Sequence, residues 1–414
     1  MLSVTGTSKE GALSLAEIKN LGRETTTAVL QCSGNGRAFF EHGPSGSQWS
    51  VGAAGCVNWT GVHLSQIAKV FGGSLSGMKY VTATGGDPLP PGVDPKAALV
   101  ERSIPIEKGL SDVLLAWEMN GQPIPITHGG PLRMVVPGYF GCNQIKYVKS
   151  IAFTKAQSDA KIQKKGYRFR PLGEGGNDTQ PSMWRMPVKS WVNGPGADDT
   201  PVLHGTVHFH GVAFSGERGV KGVEVSMDRG DTWTPAELYG PDMGPNAWRT
   251  FRFATELAVG AHHIVSRATD NEGDVQPPVR DDNERGYRYN GWTEAGLDVR
   301  VVARLGDHTG VTAPLKPGEP AKPMGPSDPK KLSEAGERGK AVFLETQPSC
   351  GTCHTLADAD AAGAVGPSLD ALRPTEQMVA KATSNGVGIM PSFESSLSTE
   401  QISDLARYVF EASR

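Results

Sequence analysis

The sequence lacks most features that would tie a chain to a membrane or a polyanion. None of its apolar runs is long enough to span a bilayer. Its 41 Lys and Arg stand against 44 Asp and Glu, leaving a net charge of −3. That balance gives no reason to invoke nucleic acid or an anionic membrane. Aromatic residues are scarce at 7%, while Gly and Pro are abundant at 52 and 30. This composition favours turn-rich β and mixed folds over a helical bundle. Cysteine is also sparse: five in 414 residues, two of them in one Cys-x-x-Cys-His motif, and the remaining Cys32, Cys56 and Cys142 are no disulfide framework. The length predicts about two to four domains. Met1-Leu2-Ser3-Val4-Thr5-Gly6-Thr7 reads as strand and turn, with no secretion signal in it.

Four segments follow from the pattern. Residues 1–170 mix short strands with helix-like stretches, and read as α+β. Thr25–Leu30 and Leu132–Val136 are β-branched or apolar runs that predict strands. Leu110–Met119 fits a short strand or a helix equally, because a short apolar run has no diagnostic period. Residues 171–305 read as all-β. His204–Phe214, Gly222–Met227 and Ala261–Thr269 predict strands, with turns at Asp228-Arg229-Gly230-Asp231 and Asp270-Asn271-Glu272-Gly273. Strands at this spacing predict a sandwich. Residues 306–332 hold six prolines among Gly and Lys, an extended and partly stiff linker expected to let the last domain swing or dock. Residues 333–414 regain helical signals. Ser398 with Gln401 makes a capping box, Leu397 is placed to staple onto Ile402, and Ile402, Leu405, Ala406, Val409 and Phe410 fall on one helical face.

Cys350-Gly351-Thr352-Cys353-His354 is a c-type haem attachment sequence. Two thiols three positions apart can add to both vinyl groups of one haem, leaving His354 to ligate iron. A zinc site is disfavoured because no second Cys/His pair follows at zinc spacing. Met390, in a loop before the last helix, is the expected sixth ligand. Met378 is the competitor, but it lies in the helix-like stretch Thr375–Ala382, where a core role is expected. The order of helix, Cys-x-x-Cys-His, Gly366-Pro367, Met390-Pro391 and final helix resembles class I cytochrome c over about 80 residues. His/Met ligation raises the reduction potential, which suits an electron acceptor. Covalent haem attachment takes place outside the cytoplasm, so a periplasmic location is expected, with an export signal upstream and a truncated amino end.

Cys32 lies in Leu30-Gln31-Cys32-Ser33-Gly34-Asn35-Gly36-Arg37, at the end of a β-like run. A thiolate is a soft metal ligand, and a Gly-rich turn admits a bulky cofactor. The ordinary state of a lone cysteine is nevertheless a buried structural thiol. Further matches, in order, make this segment similar to the molybdenum-binding loop of the sulfite oxidase family. Trp49 stands at about the spacing of a substrate-pocket tryptophan, and Gly85-Gly86-Asp87 resembles a cofactor contact. Trp117-Glu118-Met119-Asn120-Gly121-Gln122-Pro123-Ile124-Pro125, then His128-Gly129-Gly130-Pro131-Leu132-Arg133, closely resembles the family's most recognisable stretch. Gln144-Ile145-Lys146-Tyr147-Val148 continues it, and Val225–Trp233 with Arg267–Asp270 resembles the family's immunoglobulin-like dimerisation domain.

The resemblance implies that Cys32 ligates molybdenum. It implies that Asp87, His128, Arg133, Gln144, Ile145 and Lys146 hold molybdopterin, with Arg37, Trp49 and Tyr167 at the catalytic centre. Lys161, Lys164, Lys165, Arg168 and Arg170 surround Tyr167 and would form an anion funnel. Cys56 and Cys142 are expected to matter little to the chemistry. Two departures stand out. The family's Arg-Asn-His segment upstream of the cysteine is absent, and its Asn-x-Trp-His-Arg motif is met only by Asn290-Gly291-Trp292, with Thr293 and Glu294 in place of the basic pair. Arg285 or Arg288 could substitute.

The implied protein is multidomain: an α+β molybdopterin unit, an all-β immunoglobulin-like sandwich and an all-α cytochrome c domain. It is expected to be a homodimer that oxidises sulfite to sulfate, with electrons passing to its own c-type haem and then to an external cytochrome or oxidase. Another oxyanion or sulfane sulfur is the alternative substrate. A non-catalytic electron carrier with an incomplete pterin site is the reading from a different class.

Overall fold

The computed structural model describes residues 1–413 except 87, 88, 90, 197–199, 305–331, 364, 373, 388 and 389. Asp87 and the proline-rich linker, apart from Leu332, therefore lie outside the described residues.

The N-terminal unit is built on two sheets. One runs in the order Gly11–Leu13, Leu2–Thr5, Val148–Thr154, Tyr80–Gly85, Glu101–Pro105. Leu2–Thr5 pairs in parallel with Val148–Thr154, joining the two ends of the unit. The other runs Glu24–Gln31, Ala54–His63, Leu114–Met119, with Gln122–Pro123 and Arg133–Val135 both paired to the last. Leu2 and Val4 alternate inward, as a half-buried strand should, and join Val62, Leu115, Met134, Ile151 and Phe153 in the core. The ambiguous run divides: Ile106–Ser111 is helix and Leu114–Met119 is strand. Leu114, Leu115 and Ala116 are each fully buried, so the strand carries no alternation to read.

The β unit is one continuous path of eight strands, from Val188–Gly194 through Gly205–Ser215 to Leu297–Val302 and Val202–Leu203. It folds over so that Ser190 Oγ meets Ser266 Oγ at 3.0 Å, with Gln276 between the layers. Val207, Phe209, Val223, Val225, Phe251, Ile264 and Val299 fill the interior. This is the expected β sandwich.

The C-terminal unit packs Glu334–Glu345 against Thr399–Ala412, with Glu376–Asn385 alongside. The capping box on Ser398 and Gln401 is present. Ile402, Leu405, Ala406 and Val409 are buried, while Phe410 is only half-buried. Tyr408 and Asp404 are buried as well. Tyr408 stacks edge-on against Phe343 and donates to Asp358, and Asp404 pairs with Arg338 at 2.7 Å. A polar residue with a partner from another element is invisible to an apolar stripe. Among the described residues, no helix is long and apolar enough to cross a membrane.

Candidate active site

The strand Glu24–Gln31 ends in a tight loop that presents Cys32. Asn35 N–H donates to the Cys32 carbonyl and Arg37 N–H to the Gly34 carbonyl. The Asn35 side chain bridges outward, accepting from Ala53 N–H at 2.9 Å and donating to Gln31 at 3.0 Å. Gly36 has φ +102°, and a Cβ there would lie 2.3 Å from the Tyr289 ring, so glycine is required twice over. Ser33 to Arg37 are buried, whereas Cys32 is exposed. A rigid loop thus offers one thiol outward.

Around it stands a group of cations with few counter-charges. Arg37 is buried; its Nε donates to the Arg285 carbonyl and its Nη1 to the Ser47 carbonyl, at 3.0 and 2.9 Å. Burial lowers its pKa, with Arg285 adding to the effect. Arg285 and Arg170 are also buried, and the Nε of each has no hydrogen-bond partner. A buried guanidinium N–H without an acceptor is costly, unless an anion completes it. Arg102 is fully buried on Asn143 and the Ile162 carbonyl. Tyr167 stacks on Tyr287 at 5.4 Å, with Arg102 over its other neighbourhood at 5.6 Å. Burial raises the Tyr167 pKa far above the ordinary phenol range, so its hydroxyl keeps its proton. Lys189 reaches the loop from the β unit, donating to the Asn35 carbonyl at 3.1 Å. Burial pushes its pKa down to about 7, opposed by the Cys32 thiolate.

The second cluster lies beyond Leu114–Met119. Arg133 is buried, donates to the His128 carbonyl at 2.7 Å and stands over the Trp59 ring at 5.2 Å. Burial lowers its pKa to about 10. Its Nε and the Oε1 of buried Gln144 have no partner. Lys146 donates to the Thr127 carbonyl at 2.7 Å, and His128 is exposed. A buried donor and a buried acceptor left open beside the Lys146 ammonium suit an anionic, heterocyclic pterin.

The third cluster is an apolar cavity of about 280 Å³, open to solvent on one side and lined mostly by the C-terminal unit. Cys350, Cys353, His354, Met378 and Met390 all line it. His354 Nδ1 pairs with the Pro367 carbonyl at 2.9 Å, which leaves Nε2 for iron. Thiols, imidazole and thioether around an apolar space suit a covalently held haem.

Several expectations change. Trp49 is 46% exposed. Ile145 turns into the core, so any cofactor contact would be through its backbone. Arg168 is buried on the Gln163 and Gln180 carbonyls and on Gln157, a structural role outside any funnel. Lys164 is exposed beside Asp178. Cys142 lies within the first cluster, its pKa raised by burial and influenced by Arg102 and Cys32. Glu294 pairs with Arg280 and Tyr289, and Arg288 is exposed whereas Arg285 is buried. Met378 lines the apolar cavity, in addition to its helix. Lys189 had no signal in the sequence, because a lone Lys in a strand reads as surface.

Residues 1–162 match the oxidoreductase molybdopterin binding domain, residues 180–299 the Mo-co oxidoreductase dimerisation domain, and residues 334–409 the cytochrome C oxidase, cbb3-type, subunit III family. Mitochondrial sulfite oxidase of Rattus norvegicus is 32% identical over 308 residues, 70% of this chain and 55% of its own length. The chain thus spans about half the length of that relative. Sulfite oxidase of Arabidopsis thaliana is 28% identical over 321 residues, 71% of this chain and 79% of its own length. In structure, the sulfane dehydrogenase SoxCD from Paracoccus pantotrophus is similar with a TM-score of 0.61 and 27% identity, covering 73% of this chain and 78% of that one.

Proposed function

Because the chain belongs to the sulfite oxidase family of molybdopterin oxidoreductases and ends in a cytochrome c domain, we propose that it oxidises sulfite to sulfate and passes the electrons to its own haem. Water supplies the added oxygen, and each turnover releases two electrons and two protons. The observation that carries this reading is the exposed Cys32 thiol beside buried Arg37, Arg170 and Arg285, two of them with an open guanidinium N–H.

Cys32 would ligate molybdenum, and His128, Arg133, Gln144 and Lys146 would hold the pterin. Cys350 and Cys353 would hold the haem, with His354 and Met390 as iron ligands. When bound, the molybdenum cofactor supplies two-electron oxidation, and the haem accepts electrons singly. The chain's own part is electrostatic and positional. Arg37, Arg170 and Arg285 concentrate an oxyanion and fix its orientation, and charge buried in low dielectric acts strongly. Tyr167, kept protonated by burial, donates a hydrogen bond. Lys189 and Asn35 keep the Cys32 loop from moving. The dimerisation domain supports a homodimer, and the cytochrome domain supports a periplasmic location with an external cytochrome or oxidase as acceptor.

Stopped-flow spectroscopy of the metal-loaded protein tests the reading: sulfite should reduce the haem within the turnover time. A haem that stays oxidised with sulfite, yet is reduced by protein-bound sulfane sulfur, would transfer the function to the activity named for the Paracoccus neighbour. Its similarity over 78% of its length favours that second reading.

A further inference from the structure

The cytochrome unit sits on the molybdopterin and β units through three cations that each donate to a main-chain carbonyl. Lys161 Nζ donates to the Met390 carbonyl at 3.0 Å. Arg285 Nη1 donates to the Gly386 carbonyl at 3.1 Å. Lys381, from the cytochrome side, donates to the His42 carbonyl at 3.1 Å. Two of the three carbonyls belong to the loop that carries Met390. Gly386 has φ +68°, and a Cβ there would stand 2.6 Å from Lys161 Nζ, so the loop backbone is shaped for the ammonium. Gly46, Ser47, Val93 and Ala98 of the molybdopterin unit also line the apolar cavity. Ser47 is in turn held by Arg37.

Arg285 faces two ways. Its Nη1 is spent on the cytochrome loop, its carbonyl receives Arg37, and its buried Nε is open. Lys161, Arg170 and Arg37 are all close enough to repel it. An anion among these groups removes the repulsion and can accept from Nε, while Nη1 remains on Gly386.

Resting on the sulfite reading for the identity of the anion, we propose that Arg285 is a positioning residue that couples oxyanion occupancy of the Cys32 pocket to seating of the Met390 loop. The cytochrome unit is then held most firmly when substrate or product is present. Linkage makes the effect reciprocal: a seated cytochrome unit tightens anion binding by the same factor.

Hydrogen exchange measured by mass spectrometry on the full-length, metal- and haem-loaded protein tests this. Inorganic sulfate is the probe, and chloride at equal ionic strength controls for screening. Sulfate should slow exchange of the peptide covering Gly386 to Phe393 by about fivefold or more, the low end of ordinary coupling. In R285Q, and in R285K, which keeps the charge but lacks the planar guanidinium fork that spans loop and anion at once, the sulfate effect should vanish. K381Q should raise the baseline exchange and keep the sulfate effect. The idea is overturned if wild-type exchange ignores sulfate at concentrations that inhibit reduction of external ferricyanide, or if both Arg285 variants fold and respond as wild type. Sulfite-dependent ferricyanide reduction is read separately. Its absence sinks the sulfite reading, while a sulfate-slowed loop would still uphold the coupling.

Discussion

Cys32 and Met390 are each one atom of sulfur on a loop, and each depends on neighbours that hold it still. Cys32→Ser exchanges a soft thiolate for a hard hydroxyl. The pterin should remain, because Arg133, Gln144 and Lys146 lie in a separate cluster, and turnover should be lost. Metal and pterin content assayed beside sulfite-dependent haem reduction checks this, and normal turnover would exclude Cys32 as ligand. Met390→Ala should abolish the methionine-to-iron charge-transfer band and lower the haem potential, since thioether ligation raises it. Because Met378 lines the same cavity, a band that survives in this variant would assign the ligand to Met378.

At the scale of elements, the β unit depends on its turns. Asp228 accepts from the Ser226 and Thr232 hydroxyls and from Thr232 N–H, joining Val220–Ser226 to Thr234–Tyr239. The Ser226 bond first, then those from Thr232, hold its carboxyl down at about 2. A folded-state pKa below the unfolded value of about 3.9 stabilises the fold above that pH. The contribution is lost as pH falls from about 4 to about 2. Asp228→Asn should therefore be less stable at neutral pH and should lose less on acidification. Melting temperatures at stepped pH check this, and parallel curves for the two proteins would dissociate the turn from acid sensitivity.

At the scale of the whole molecule, the three cation-to-carbonyl contacts make transfer between the units a matter of docking. If the chain joining them acts only as a tether, inserting about 27 flexible Gly/Ser residues, which doubles it, adds roughly 0.6 kcal/mol of closure entropy. The docked population should fall no more than about threefold. Flash-initiated haem reduction in wild type and insertion variant measures this. A drop of orders of magnitude would mean that the joining segment itself sets the seat.

The sequence by itself determined the chemistry-bearing residues and the succession of units. Cys350-Gly351-Thr352-Cys353-His354 is contiguous, and the loop of Cys32 and the stretch from Trp117 to Arg133 are local, so their spacing survives in a linear reading. The capping box of Ser398 and Gln401 and the turn at Asp228 were legible for the same reason, since each bond spans four residues or fewer. The strand Leu114–Met119 was not legible, because burial on both faces erases its period. Only the tertiary structure decided which charges meet. Arg168 and Arg170 are two positions apart, yet one is spent on carbonyls and the other stands beside Arg285 with an open Nε. Lys189, Arg285 and Lys161 reach the site or the cytochrome loop from distant segments, and long-range pairing leaves no mark at the positions it joins. Cys142, a bland thiol in sequence, stands near the Cys32 loop because the short helical turn Gly141–Asn143 packs against the end of the strand Glu24–Gln31.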